Sequence, residues 1–138
     1  GIDGVKKVYT DTFTAKTEIL NYADSKSIRE HWPTYDEDYV KERVKRRIYL
    51  RGIAPLDEYG RKVAAENEKM YREIRLVTAG SFAFANEINI YDDKVSIVSF
   101  GKNEVVGLII ESPEIANTQR AIFMMAWEFA GNQARSED

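Results

Sequence analysis

The sequence has no cysteine, one histidine and no long apolar run, and each of these absences excludes a class of function. Without cysteine, the chain forms no disulfide, no thiolate nucleophile and no thiolate metal site. The single histidine, His31, excludes a histidine pair and a multi-histidine metal site within one chain, and its polar neighbours indicate a surface or packing role. No apolar run approaches the roughly 20 residues that a membrane-spanning helix needs, so we expect no membrane partner.

An excess of charge of either sign is also missing. The 20 basic and 23 acidic side chains give a net charge of −3, which creates no general attraction to phosphate backbones. We therefore expect no direct contact between this chain and nucleic acid. No secretory signal opens the sequence, and together with the absence of cysteine this favours a cytoplasmic protein.

No phosphate-binding glycine-rich loop is present, since Gly80 does not fit the G-x-x-x-x-G-K pattern. The acidic cluster of Asp36, Glu37 and Asp38 falls at the start of a predicted helix, where the helix dipole explains it. Calcium loops need spaced ligands and usually a turn glycine, and this cluster has neither. We predict no cofactor and no metal site.

The residues that are present predict one α/β domain over 1–138, because a chain of this length with 43% hydrophobic residues forms one core. Alternation and turn signals place strands at 17–23, 48–54, 73–78, 86–91, 94–100 and 105–111. Helical spacing and caps place helices over the first dozen residues and at 34–47, 57–72 and 113–131. The expected fold is a mixed sheet of about six strands flanked by helices.

Two helical surfaces are assigned from residue spacing. A basic run in the second helix is expected to be a solvated face, and it comprises Lys41, Arg43, Lys45, Arg46 and Arg47. An apolar face of the last helix is expected to pack on the core, and it comprises Ile115, Ile122, Phe123, Ala126, Trp127 and Ala130.

Polar side chains recur on strands whose other positions are aliphatic. Glu87, Asn89 and Tyr91 share one face of their strand because residues two apart point the same way. Arg51 and Arg75 lie in two other strands. Sheets covered by helices on both faces are normally apolar, so these five residues form the predicted ligand-binding set. They line a polar cleft, face a partner subunit, or pair with one another, chiefly Arg51 or Arg75 with Glu87.

Several long runs of the sequence resemble one protein family. The runs are NEINIYDDKVSIVSF, VVGLIIES, PEIANTQRAIFMMAWEFA, GIDGVKKVYTDTF, RRIYLRGIAP and YREIRLV. Together they are similar to the C-terminal domain of TrmB-family, sugar-specific transcriptional regulators. The resemblance implies a phospholipase-D-like fold without catalysis, attached behind an N-terminal winged helix-turn-helix. We expect that DNA-binding part to lie outside this sequence, and no sugar-binding residue is carried over.

Active phospholipase-D-type enzymes carry His-x-Lys-x-x-x-x-Asp on the strand that corresponds to 86–91. With the aspartate at Asp92, Ala85 and Glu87 stand at the histidine and lysine positions. With the aspartate at Asp93, Asn86 and Ile88 stand there instead. Neither register supplies the nucleophile, and a carboxylate at the lysine position would repel a phosphodiester. We therefore predict no catalytic residue and no enzyme activity.

The resulting hypothesis is a regulatory domain of a TrmB-like regulator. It is expected to form a homodimer, to bind a small effector such as a sugar, and to reach DNA only through the absent N-terminal domain. Two alternatives stay open. One is a phospholipase-D-type phosphodiesterase or nuclease with an unrecognised nucleophile, and the other is a dimerisation domain without a ligand.

Overall fold

The computed structural model describes residues 1–78 and 85–137, with side chains described through residue 132. The helices are α1 (Ile2–Asp11), α2 (Ser25–His31), α3 (Lys41–Lys45), α4 (Glu58–Ala65) and α5 (Pro113–Glu137). A 3-10 turn (Thr12–Thr14) follows α1, and a π-helical turn (Asp36–Val40) leads into α3. The strands are β1 (Ile19–Tyr22), β2 (Leu50–Pro55), β3 (Arg72–Val77), β4 (Asn86–Tyr91), β5 (Lys94–Phe100) and β6 (Val105–Glu111). The expected α/β class is confirmed.

All six strands form one mixed sheet in the order β3-β2-β1-β4-β5-β6. The first three strands are parallel, whereas β4, β5 and β6 are antiparallel to their neighbours. The predicted sheet of about six strands is thus confirmed. Register places Asn21 beside both Gly52 and Asn89, and Asn89 beside Ser96. One row of polar side chains therefore crosses the centre of the sheet.

Helix α5 covers one face of the sheet, which we call the α5 face. Phe123, Trp127 and Ala130 are buried there against Leu20 and Ile90. The expected apolar face of this helix is correct for its centre and wrong at two positions, because Ile115 and Ile122 are 43% and 44% exposed. The predicted helix end at Gly131 is wrong, since α5 runs on to Glu137.

The other four helices pack on the opposite face, which we call the four-helix face. Its core is an aromatic cluster in which Tyr9 makes edge-to-face contacts with Trp32, Tyr35 and Tyr39, at centroid distances of 5.9, 5.6 and 5.2 Å. Aromatic pairs in this geometry add stability beyond the burial of their area. This cluster fixes α1, α2 and the π-helical turn to one another.

The structure contains one helix that the sequence does not predict and shortens a predicted one. Helix α2 lies between the predicted strand at 17–23 and the predicted helix at 34–47, and Asp24 caps its N-terminus by accepting a hydrogen bond from the Lys26 amide. The predicted helix at 57–72 stops at Ala65, since the Asn67 side chain binds the backbone of Ile74 and directs the chain into β3. Gly80 lies outside the described residues. Among the described helices, none is long and apolar enough to cross a membrane.

Candidate functional site

The four-helix face of β4 carries two of the predicted ligand residues in buried positions. Asn89 is 2% exposed and accepts a hydrogen bond from the Asn21 side chain, with 2.7 Å between Nδ2 and Oδ1. Glu87 is also 2% exposed, and its Oε1 has no hydrogen-bonding partner among the described residues. Burial raises the pKa of the Glu87 carboxyl to about 8 because the charged form is poorly solvated. Glu87 is therefore largely neutral at pH 7.

Three arginines lie at the other end of the same face. Arg43 is 1% exposed and its guanidinium donates to three backbone carbonyls, those of Ile48, Met70 and Tyr71, at 2.7 to 3.0 Å. The expectation that Arg43 belongs to a solvated basic face is therefore wrong. The loop after α3 and the turn before β3 both direct their carbonyls inward, and a guanidinium fork can satisfy them together.

Arg72 begins β3 and is 7% exposed. Its Nη2 donates to the Val63 carbonyl at 2.9 Å, but its Nε has no partner among the described residues. Burial lowers the pKa of both Arg43 and Arg72, since each charge has been removed from water. Neither guanidinium has a carboxylate within salt-bridge distance in the described part of the chain.

Arg29 completes the group and is the member of these three arginines that forms a salt bridge among the described residues. It binds Asp36 in a fork, with Nε to Oδ2 at 2.8 Å and Nη2 to Oδ1 at 2.6 Å. The hydrogen bonds from Arg29 hold the pKa of Asp36 below its usual range. One carboxylate thus compensates one of three neighbouring guanidinium groups, which leaves a local excess of positive charge.

A cavity of about 40 Å³ lies between these two ends of the four-helix face. The polar side chains in its wall are Asn21, Ser25, Arg29, Tyr35, Tyr39, Arg43, Arg72, Glu87 and Asn89. A groove of about 490 Å³ adjoins it and shares Arg29, Val63 and Arg72 with it. A cavity of this size holds only a few water-sized atoms, whereas the groove is large enough for a small molecule.

The remaining predicted ligand residues lie elsewhere. Arg51 and Arg75 are on the α5 face, where their guanidinium carbons lie 5.6 and 4.0 Å from the centroid of the Trp127 ring. Arg51 pairs with Glu18 and Arg75 with Glu73. The predicted pairing of either arginine with Glu87 is therefore wrong, because register places them on opposite faces of the sheet.

Tyr91 is on the expected face but is not part of the cavity wall. Its hydroxyl donates to Asp11 at 2.7 Å, and Lys94 binds the same carboxylate oxygen at 3.0 Å. These contacts tie the end of α1 to β4 and β5. The structure therefore brings Glu87 and Asn89 together in one cavity and leaves Tyr91, Arg51 and Arg75 outside its wall.

Arg29, Arg43 and Arg72 were missed as site residues. A signal for Arg43 exists, because Tyr35, Tyr39 and Arg43 are spaced four residues apart and so share one helix face with two aromatic rings. No comparable local pattern marks Arg29 or Arg72. They join the cavity because the fold brings α2 and the start of β3 together on the four-helix face.

The positions that would carry phospholipase-D-type catalysis have other roles here. Asp92 accepts hydrogen bonds from the Lys16 and Thr17 amides at 2.9 and 3.1 Å, which fixes the turn before β1. His31 is exposed, stacks on Phe100 at 4.8 Å and is absent from the cavity wall. Among the described residues, no group of three acidic or histidine side chains is placed to hold a metal ion.

Comparison with known proteins adds a structural relative. No family model matches the chain. No curated protein matches it by sequence. The solved structure of TrmBL2, an archaeal chromatin protein reported to show a novel mode of DNA binding, matches with a TM-score of 0.63 and 17% identity. The match covers 91% of this chain and 49% of TrmBL2, so the chain spans about half the length of that protein. At this identity the likeness establishes a shared fold.

Proposed function

We propose that this chain is the regulatory domain of a TrmB-like transcriptional regulator, which forms a homodimer and binds a small polar effector. DNA binding is assigned to a winged helix-turn-helix outside the chain, and the protein is assigned to the cytoplasm. The fold shared with TrmBL2 and the sequence resemblance both support this assignment. The net charge of −3 also favours a domain that does not itself contact DNA.

One observation supports the effector half of the proposal, namely a cavity whose wall includes two residues with unpartnered buried polar atoms. Glu87 Oε1 and Arg72 Nε both lack hydrogen-bonding partners among the described residues. A buried polar atom without a partner costs about 1 to 3 kcal/mol, and a ligand that supplies the partner recovers that free energy. Asn89 stands between them in the wall, so Glu87 and Asn89 are the predicted ligand residues that this proposal retains.

The dimer half of the proposal depends on an apolar stripe along α5, formed by Ile115, Ile122, Met125 and Phe129. These side chains are 43% to 67% exposed and lie on one side of the helix. The stripe borders an apolar groove of about 400 Å³. Two copies of the stripe packed across a two-fold axis would remove it from water, and this symmetry is the most common among homodimers.

Calorimetry and thermal-shift measurements against neutral sugars, phosphorylated sugars, nucleotides and amino acids test the effector, and analytical ultracentrifugation tests the dimer. We expect a dimer whose melting temperature rises with at least one compound. Asn89→Ala should weaken binding about tenfold, since one buried hydrogen bond to the ligand is lost. The exposed control Asn103→Ala should leave the affinity unchanged. A monomer whose melting temperature no compound changes contradicts the proposal. A dimer that binds no compound supports the alternative of a dimerisation domain without a ligand.

A further inference from the structure

The arginine end of the cavity has two positive charges that form no salt bridge with a carboxylate in the described part of the chain. Arg43 and Arg72 are both more than nine-tenths buried, and neither forms a salt bridge within the described residues. Asp36 is already bound in a fork by Arg29. Glu87, at the far end, does not compensate them because burial keeps its carboxyl largely protonated at pH 7. Burying uncompensated charge is costly, so proteins normally provide such a site with a counter-ion.

From these contacts we infer that the effector is a phosphate monoester whose phosphoryl group is held at Arg72, with Arg43 supplying the second positive charge. This inference depends on the proposed function, since it names the chemical class of the effector that the domain binds. A phosphate monoester has nearly two negative charges at neutral pH, which matches the two uncompensated guanidinium groups. The free Nε of Arg72 supplies a charge-assisted hydrogen bond to a phosphoryl oxygen.

The cavity and the groove differ in size, so each fits a different part of the ligand. The cavity of about 40 Å³ accommodates a group of a few heavy atoms, which fits a phosphoryl group and excludes a whole sugar. The groove of about 490 Å³ shares Arg72 with the cavity and so continues from the phosphoryl position. The alcohol part of the ester is therefore placed in the groove.

The groove also has an excess of positive charge on a chain that is acidic as a whole. Its wall contains five basic residues, Arg29, Lys41, Lys62, Lys69 and Arg72, against three acidic ones, Asp36, Glu37 and Glu66. Lys41 pairs with Glu37 and Lys62 pairs with Glu58. Lys69 is exposed and forms no salt bridge within the described residues, which leaves it available to a ligand in the groove.

The test compares inorganic phosphate, glucose 6-phosphate, gluconate and glucose as probes, by calorimetry at matched ionic strength on the whole chain. We expect glucose 6-phosphate to bind at least about tenfold more tightly than gluconate or glucose, because only the ester has two negative charges. Inorganic phosphate should compete with the ester for one site. The competition establishes that the phosphoryl group itself is recognised.

Variants locate the site. Arg72→Gln should weaken the binding of glucose 6-phosphate and of inorganic phosphate by about tenfold or more, since a charge-assisted hydrogen bond is lost. Lys69→Gln lies on the surface and leaves the fold intact, so it keeps the test decisive if Arg72→Gln does not fold. Lys69→Gln should weaken the binding of the ester and leave the affinity for inorganic phosphate unchanged. Lys102→Gln, an exposed substitution in the turn between β5 and β6, is the matched control and should change neither.

Each other outcome overturns the inference in a distinguishable way. Binding of inorganic phosphate without the ester overturns the assignment to a monoester. Equal affinity for glucose and glucose 6-phosphate overturns the recognition of phosphate but leaves the effector domain standing. Binding of the ester that is unchanged in both Arg72→Gln and Lys69→Gln places its site elsewhere. If none of the four probes binds but a compound without a phosphoryl group does, the inference fails and the proposed function survives.

Discussion

Glu87 is a carboxyl group that folding removes from water without giving it an ionic partner. Burial raises its pKa from 4.5 to about 8. The unfolded chain therefore loses this proton near pH 4.5, whereas the folded protein keeps it until about pH 8. The stabilising contribution of protonated Glu87 is complete below pH 4.5 and is lost as the pH rises through 8.

Glu87→Gln should remove this pH dependence, because the amide has nearly the same shape and does not titrate. We expect the variant to lie within about 1 kcal/mol of the wild type at pH 5 and to exceed its free energy of unfolding at pH 8 by on the order of 4 kcal/mol. Urea denaturation between pH 5 and pH 8.5 measures the difference. Glu104→Gln, at an exposed position, is the control. Parallel curves for the wild type and Glu87→Gln would show that Glu87 ionises normally in the folded protein.

Arg43 links α3 to the loop at Ile48 and to the turn before β3. The carbonyls to which it donates accept no hydrogen bond from another described side chain. Arg43→Met keeps the length and apolar stem of the side chain but leaves the carbonyls of Ile48, Met70 and Tyr71 without this donor. We expect a loss of about 3 kcal/mol or more in the free energy of unfolding. Arg46→Met removes an exposed arginine of the same helical region, which pairs with Glu42 and lies over the Phe13 ring, and should cost about 1 kcal/mol. Equal losses in chemical denaturation would rule out the special role of Arg43.

At the scale of elements, Gly60 determines how closely α4 approaches the end of β2. A Cβ atom at Gly60 would lie 2.2 Å from the Pro55 carbonyl oxygen, a backbone atom that cannot move away alone. Gly60→Ala should therefore destabilise the protein by about 2 kcal/mol or more, even though alanine favours helix by roughly 1 kcal/mol.

Gly4 provides the comparison, because it lies in α1 with nothing within 4 Å of a built Cβ. Gly4→Ala should stabilise the protein by about 0.5 to 1 kcal/mol, which is the helix propensity alone. Thermal unfolding of the two variants beside the wild type measures both effects. Stabilisation by both substitutions would mean that α4 does not pack against β2 as described.

The bounds of the elements show which local signals are reliable. Strands at 86–91, 94–100 and 105–111 are confirmed at both ends, because tight turns lie between strongly alternating segments. The helix ends were less predictable. Gly131 favours a stop by its own propensity, yet α5 continues, and a side chain at 131 would contact the Arg75 guanidinium at 2.6 Å. Tertiary packing, and not capping, explains a glycine at that position.

At the scale of the whole molecule, the apolar stripe on α5 predicts the assembly state. Met125 is the most exposed member of the stripe at 67%. Met125→Glu should raise the dimer dissociation constant at least about tenfold, since a charge would be buried in an apolar interface. Sedimentation velocity over a series of protein concentrations measures this change.

Asn117→Glu is the matched control for that experiment. It adds the same charge to the same helix on a side away from the stripe, where the exposed Asn117 side chain accepts a hydrogen bond from Arg120. The dissociation constant should stay unchanged. If Met125→Glu also leaves it unchanged, the dimer uses another surface.

The sequence by itself determined the alternation within each strand and hence that Glu87 and Asn89 point to the same side. It also determined the α/β class, the six strands and the start of α5 at Pro113, since these follow from local periodicity and caps. Only the tertiary structure decided which residues of different strands lie on the same face of the sheet. Parity is a property of one strand, whereas the relation of Arg51 and Arg75 to Glu87 depends on register between strands that are distant in sequence. The same reason explains why Arg29 and Arg72 reach the cavity without any signal in the residues around them.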